Sequence, residues 1–129
     1  QFGLQIALNN LIQQINTSGN INFVLDYHSS IERFEKQTEL YIYRLVLELI
    51  QNIIKHSGAK TATIHLIQQD EYISLMAEDD GIGFDATKIY NGLGLKNIQN
   101  RVRLMNGQLH IDSSSKSGTT VSINIPLIQ

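Results

Sequence analysis

The chain of 129 residues contains no cysteine. That absence excludes disulfides, thiolate metal sites and thiol catalysis. It has a single proline, Pro126, placed near the end of the last strand-like run, where proline is tolerated. Charge is scarce, at 17% of residues, and nearly balanced, with a net charge of −2. The lysines and arginines are scattered, so there is no electrostatic case for direct contact with nucleic acid or an anionic membrane. No uninterrupted apolar run is long enough to span a bilayer. The richest segment, Leu40 to Ile54, is broken by Arg44, Glu48, Gln51 and Asn52. No signal peptide is expected from the sequence. The histidines show no metal-ligand spacing, and His28, His65 and His110 read as surface or strand residues.

What is present is an apolar fraction of 42% in a chain of single-domain length. The expectation is one globular domain, cytoplasmic even where its parent protein is membrane-anchored. The chain starts at Gln1, inside a helical pattern, which predicts a domain cut from a longer protein.

Leu4, Leu8, Leu11, Ile12 and Ile15 recur at helical spacing, and Thr17-Ser-Gly-Asn20 ends that helix. Phe2, Ile6 and Ala7 lie off its apolar stripe, as though it also packs on an upstream domain. Ile21, Phe23, Leu25 and Tyr27 alternate as a strand does. A second helix is expected over about Glu35 to His56, stopped by Ser57-Gly58. Two alternating runs follow, Ala62 to Leu66 and Ile73 to Ala77, with Gln68 to Glu71 as the hairpin turn. Residues 81–94 hold four of the nine glycines and read as loop. A third helix spans about Leu95 to Met105, and two strands follow, Leu109 to Ser113 and Thr119 to Leu127. The order predicts an α+β fold, a mostly antiparallel sheet with helices on one face.

On the second helix, Glu48, Asn52 and Lys55 fall within roughly 60° of one another, with Arg44 and His56 at the margins. Ile42, Val46, Leu47, Leu49, Ile50, Ile53 and Ile54 fill the opposite arc. A polar stripe on such a helix is commonly just its wet face. The sharper reading makes Asn52 an oxygen ligand for Mg²⁺, which takes only one or two protein oxygens beside water and phosphate. Glu48, one turn earlier, is then placed to orient or deprotonate a nucleophile. Lys55 and His56, one turn later, can meet phosphate charge.

Asp79-Asp80-Gly81-Ile82-Gly83 leaves a strand as an Asp-Gly turn does. Asp79, however, shares parity with Ile73, Leu75 and Ala77, so its carboxylate should face the core side and need a donor. An adenine amine would satisfy it, and Gly81 and Gly83 would let the backbone approach a base closely. Gly92-Leu93-Gly94-Leu95 opens the third helix, where backbone N–H groups favour phosphate; a plain loop capping a helix is the alternative. Neither a Walker A ending nor a dinucleotide fingerprint is present. Thr119 shares parity with Val121, Ile123 and Ile125 and should face the same interior as Asp79.

In this order the elements resemble the ATP-binding catalytic domain of sensor histidine kinases, in the superfamily of gyrase, the large heat-shock chaperone and MutL. Glu48-Leu-Ile-Gln-Asn52-Ile-Ile-Lys55-His56 is similar to its N box, Asp79-Asp-Gly-Ile-Gly83-Phe84 to its G1 box, and Gly92-Leu-Gly94-Leu95 to its G2 box. The run from Gly94 through Arg101 and Gly107 to Pro126 resembles the nitrate-sensor and thermosensor-like subfamily. The resemblance implies a Bergerat-type two-layer α/β sandwich over residues 1–129, with residues 1–19 continuing from a missing phosphoacceptor domain. It implies ATP and Mg²⁺ as cofactors. Asn52 would ligate Mg²⁺, Asp79 would bind the adenine amine, Gly81 and Gly83 would shape the base pocket, and Thr119 would support Asp79 or the adenine. Gly92 and Gly94 would flank a short lid over residues 85–94, and Glu48 would be the catalytic base.

The implied activity is transfer of the γ-phosphate to a histidine on a separate dimerisation domain. The implied indirect partner is a response regulator with a helix-turn-helix output domain. Three departures stand out. Asp80, in the ATP-binding set that the resemblance implies, replaces the asparagine of many relatives and adds charge near the phosphates. No separate F box is present. None of the four histidines is followed by an acid, as family phosphoacceptors are; Ser29, Ser57, Leu66 and Ile111 follow them instead. The other readings are an ATP-hydrolysing relative, a protein-serine kinase, and a nucleotide-sensing or interaction domain without transfer.

Overall fold

The computed structural model describes residues 3–81, 93–113 and 118–127. The first helix, α1 (Leu4–Ser18), turns Leu4, Leu8, Leu11 and Ile12 inward, and all four are buried. Strand β1 (Asn22–His28) follows at the edge of the sheet. Asn16 of α1 stands in for a neighbouring strand there. Its carboxamide donates to the Phe23 carbonyl at 2.8 Å and accepts the Phe23 N–H at 2.8 Å. An open strand edge is thereby closed at that residue.

Helix α2 (Lys36–His56) carries the buried Glu39 in its first turn, and that carboxylate accepts from the Phe34 N–H at 3.0 Å and from Arg33 Nη2 at 3.0 Å. Burial opposes ionisation of Glu39, but Arg33 and the Phe34 N–H outweigh it and hold its carboxyl below the usual range. The buried face of α2 is Ile42, Leu45, Val46, Leu49, Ile50 and Ile53. Ile54, expected on that face, is 51% exposed. It lies about 100° round the helix from the centre of the buried arc, whereas Leu45 lies nearer to it.

Strands β2 (Thr61–Gln69) and β3 (Tyr72–Asp79) form the expected hairpin. Its turn is tighter than the sequence suggests. Gln68 and Gln69 continue the ladder opposite Ile73 and Tyr72, leaving only Asp70 and Glu71 between the strands. Asp70 adopts φ 50°, the left-handed backbone that two-residue hairpin loops require. Helix α3 (Leu93–Leu104) starts two residues before the expected Leu95. Strands β4 (Gln108–Ser113) and β5 (Thr119–Pro126) complete the sheet. The order is β1-β2-β3-β5-β4, with β1 and β2 parallel and every other pair antiparallel. Pro126 ends β5 opposite Tyr72, at the end of the ladder, so its missing N–H leaves no gap within it.

One face of the sheet supplies Phe23, Ala62, Ile64, Leu66, Ile73, Leu75, Ala77, Ile123 and Ile125 to a core shared with the helices. Each fully buried leucine or isoleucine contributes about 1.5–3 kcal/mol. The opposite face is wetter, with Val24 and Tyr72 exposed. The fold is thus the expected two-layer α+β sandwich. Among the described residues, no helix is long and apolar enough to cross a membrane.

Candidate functional site

Contacts between side chains and backbone tie the C-terminal half of α2, the end of β3 and helix α3 together. The end of β3 comes first. Asp79 is its last residue and pairs with Thr119, the first of β5. Ile73, Leu75 and Ala77 are buried and Glu78 is exposed, so Asp79 falls on the core side, as its parity predicts. Its Oδ1 accepts the Gly81 N–H at 2.9 Å. Burial pushes the Asp79 carboxyl above its usual range; the Gly81 and Thr119 N–H groups oppose that push and Asp80 adds to it. A half-buried carboxylate of this kind keeps acceptor capacity for an external donor.

Two glycines make the arrangement possible. A Cβ on the buried Gly81 would overlap the carbonyl oxygen of Ser57 at the end of α2. Glycine therefore lets the exit of β3 touch the end of that helix. A Cβ on Gly118 would overlap the carbonyl oxygen of Asp79, and its φ of 82° already favours glycine. The helix end itself is fixed by Ser57, 5% exposed, whose hydroxyl donates to the Ile53 carbonyl at 2.7 Å and accepts the Ala59 N–H at 3.0 Å.

Asp80, the acid expected near phosphate, has both carboxylate oxygens engaged elsewhere. Oδ1 accepts the N–H groups of Lys60 at 2.8 Å and Thr61 at 3.0 Å, and Oδ2 accepts the Thr61 hydroxyl at 2.9 Å. The Thr61 N–H, then the Lys60 N–H, hold its carboxyl below the usual range. Its geometry closes the start of β2 onto the end of β3. Thr119 is 5% exposed, and its hydroxyl lies 2.9 Å from that of Ser113.

On α2, Glu48 Oε1 accepts from Arg101 Nε of α3 at 2.9 Å. Glu48 Oε2 and Asn52 Nδ2 are buried without a partner. An unpaired buried polar atom costs about 1–3 kcal/mol, so it marks a place that a ligand or water completes. These two lie one helical turn apart. Among the described residues no group of three or more His, Asp or Glu could hold a metal. Mg²⁺ needs only one or two protein oxygens beside phosphate and water. The orphaned Glu48 Oε2 is such an oxygen, whereas the orphaned Asn52 atom is a hydrogen-bond donor, so Asn52 fits the ion through its carboxamide oxygen and leaves its NH₂ group for a phosphate oxygen or water. Lys55 and His56 are exposed in the last turn of α2. Leu93 and Gly94 open α3, and Leu95 is buried in the core. Gly83 and Gly92, and with them the lid segment up to 92, lie outside the described residues.

Sequence reasoning missed the partnerships of Arg101, Ser113 and Gly118. Arg101 stands 53 positions from Glu48, and no local spacing signals that pairing. Ser113 and Gly118 were legible in principle, because the β4–β5 register sets Ser113 opposite Thr119.

Comparison with known proteins bears on the family and the fold. Residues 37–129 match a family model described as histidine kinase-, DNA gyrase B-, and HSP90-like ATPase. The chain is 36% identical over 97 residues to the signal transduction histidine-protein kinase/phosphatase DegS of Brevibacillus brevis, covering 74% of this chain and 25% of that protein. It is 34% identical over 128 residues to the sensor histidine kinase ComP of Bacillus subtilis, covering 97% of this chain and 17% of ComP. The chain thus spans about a quarter or less of the length of these two relatives. Among solved structures, the histidine kinase domain of the Erythrobacter litoralis EL346 blue-light activated histidine kinase superposes with TM-score 0.77 at 24% identity, covering 97% of this chain and 61% of that one. The Acinetobacter baumannii histidine kinase AdeS superposes with TM-score 0.78 at 18% identity, covering 99% and 66%. At those identities the likeness is one of fold.

Proposed function

The chain belongs to the histidine kinase-, DNA gyrase B- and HSP90-like ATPase family, as an ATP-binding domain of the sensor-kinase kind, and we propose that it binds Mg²⁺-ATP between Asp79 and Asn52 and presents the γ-phosphate to a histidine on a separate dimerisation domain. One observation carries this reading. The half-buried Asp79, steadied by backbone N–H groups on glycine-enforced strand ends, has a raised carboxyl range and spare acceptor capacity. An adenine amine supplies the missing donor.

Asn52 would hold Mg²⁺ and Glu48 would turn its free oxygen toward the incoming imidazole. Bound there, Mg²⁺ would neutralise charge on the phosphates. Lys55 and His56 would meet the phosphate tail from the end of α2. The start of α3, at Leu93, Gly94 and Leu95, would offer backbone N–H groups to it, with Gly83 and Gly92 shaping the base pocket and the lid. Thr119 would support Asp79. In phosphoryl transfer the protein's part is chiefly positioning and charge stabilisation, which these groups provide. The phosphohistidine would then serve a response regulator with a helix-turn-helix output domain.

The test uses γ-labelled ATP, Mg²⁺, this chain and the acceptor domain of its own kinase. The expected product is label on the acceptor that acid removes and base does not. Release of free phosphate with no labelled acceptor, or an acid-stable label, would overturn the transfer reading.

A further inference from the structure

Glu48 is held asymmetrically. One carboxylate oxygen accepts from Arg101 Nε at 2.9 Å, while the other is buried with no partner. The pair is partly shielded, with side-chain exposures of 33% for Arg101 and 20% for Glu48. The free oxygen shares its helix face with the orphaned Asn52 Nδ2, one turn on. A carboxylate pinned at one oxygen by a guanidinium can no longer spin about its last torsion. Its second oxygen then keeps a fixed heading. Arg101 belongs to α3, the helix that opens at Leu93, so the pin comes from a different element than the one carrying Glu48.

We propose that Arg101 is a positioning residue for phosphoryl transfer: it fixes Glu48 Oε1 so that Oε2 is aimed at the nucleophile beside Asn52. The inference rests on the nucleotide-site reading above. The geometry has two consequences. The effect of Arg101 must pass through Glu48. It must also fall on the transfer step rather than on adenine binding, which is assigned to the end of β3. A misplacement of about 1 Å at a reacting group costs on the order of 100-fold in rate.

The experiment compares Arg101→Met, Arg101→Lys, Glu48→Gln and the double variant Arg101→Met/Glu48→Gln in the kinase that contains this chain. Three quantities are read: the phosphotransfer rate at saturating Mg²⁺-ATP, the ATP dissociation constant by calorimetry, and the melting temperature. We expect Arg101→Met to slow transfer roughly 10- to 100-fold, with ATP affinity within about twofold. Arg101→Lys, which keeps charge and stem but loses the planar fork, should recover part of that rate. In the Glu48→Gln background, Arg101→Met should cost nothing further. Should Arg101→Met fail to fold, Arg101→Lys and its pairing with Glu48→Gln carry the same comparison. Unchanged transfer, a loss that multiplies in the double variant, or a loss explained wholly by weaker ATP binding would each overturn the proposal. Failure of the unsubstituted protein to bind ATP would instead overturn the nucleotide site itself.

Discussion

Asp79 and Thr119 stand opposite each other where β3 ends and β5 begins. The Thr119 N–H faces the Asp79 carboxylate, and the Thr119 hydroxyl is 2.9 Å from that of Ser113. The acid is therefore steadied from the sheet side by Thr119, which Ser113 holds in turn from the opposite position on β4. This relationship places a carboxylate on the core side of a sheet with no side-chain cation among the described residues shifting it.

The proposed contact of Asp79 with the adenine amine predicts that ATP binding depends on pH. Burial raises the Asp79 carboxyl above its usual range. A carboxyl raised in the folded state adds stability below its unfolded pKa, and that contribution is lost as pH rises through the raised value. An adenine amine needs the ionised form. ATP affinity should therefore weaken on acidification before the pH reaches the ordinary carboxylate range, about 4, and calorimetric titrations at successively lower pH will read it. Affinity that stays flat down to that range contradicts the assignment.

Asn52 and Asp79 should separate by their metal dependence. Asn52→Ala removes a carboxamide whose buried end has no protein partner. It should abolish most of the strengthening of ATP binding that Mg²⁺ produces and leave metal-free binding nearly unchanged. Equal losses with Mg²⁺ and with EDTA would show that Asn52 acts on packing instead.

Gly81 and Gly58 should differ in what their replacement disturbs. Gly81→Ala drives a methyl into the Ser57 carbonyl, whereas a Cβ on Gly58 meets nothing within 4 Å and carries only the strain of φ 63°. Overpacking costs about 1–3 kcal/mol, against about 1–2 kcal/mol for an alanine in the left-handed region. Gly81→Ala should also weaken ATP binding, and Gly58→Ala should not. Thermal melts with ATP titrations on both variants check this.

Asn16 predicts a stability effect far from the nucleotide. Asn16→Ala removes both bonds to the Phe23 backbone. At about 0.5–1.5 kcal/mol each, the loss should appear as a lower urea midpoint with ATP affinity unchanged. A midpoint equal to that of the unsubstituted chain would mean that water replaces the carboxamide without cost.

Much of this was legible from residue pattern. Strand parity put Asp79 and Thr119 on one face, and the helical stripe put Glu48 beside Asn52, because both follow from fixed backbone periods. Relations between elements were not legible. The Glu48–Arg101 pair, the Gly81–Ser57 contact and the use of Asp80 to close Lys60–Thr61 depend on how distant segments pack. The amphipathic pattern also blurred at its margins. Ile54 looks like core by composition yet is half exposed, and Leu45 takes a place at the edge of the buried arc.

The most direct measurement is a calorimetric titration of ATP into this chain beside its Asp79→Asn variant, with Mg²⁺ present. Asparagine keeps the size of the side chain but offers the adenine a neutral carbonyl in place of the carboxylate. The expected result is saturable binding by the unsubstituted chain and loss of most of that affinity in a variant that still melts cooperatively. Undiminished binding by Asp79→Asn would contradict it.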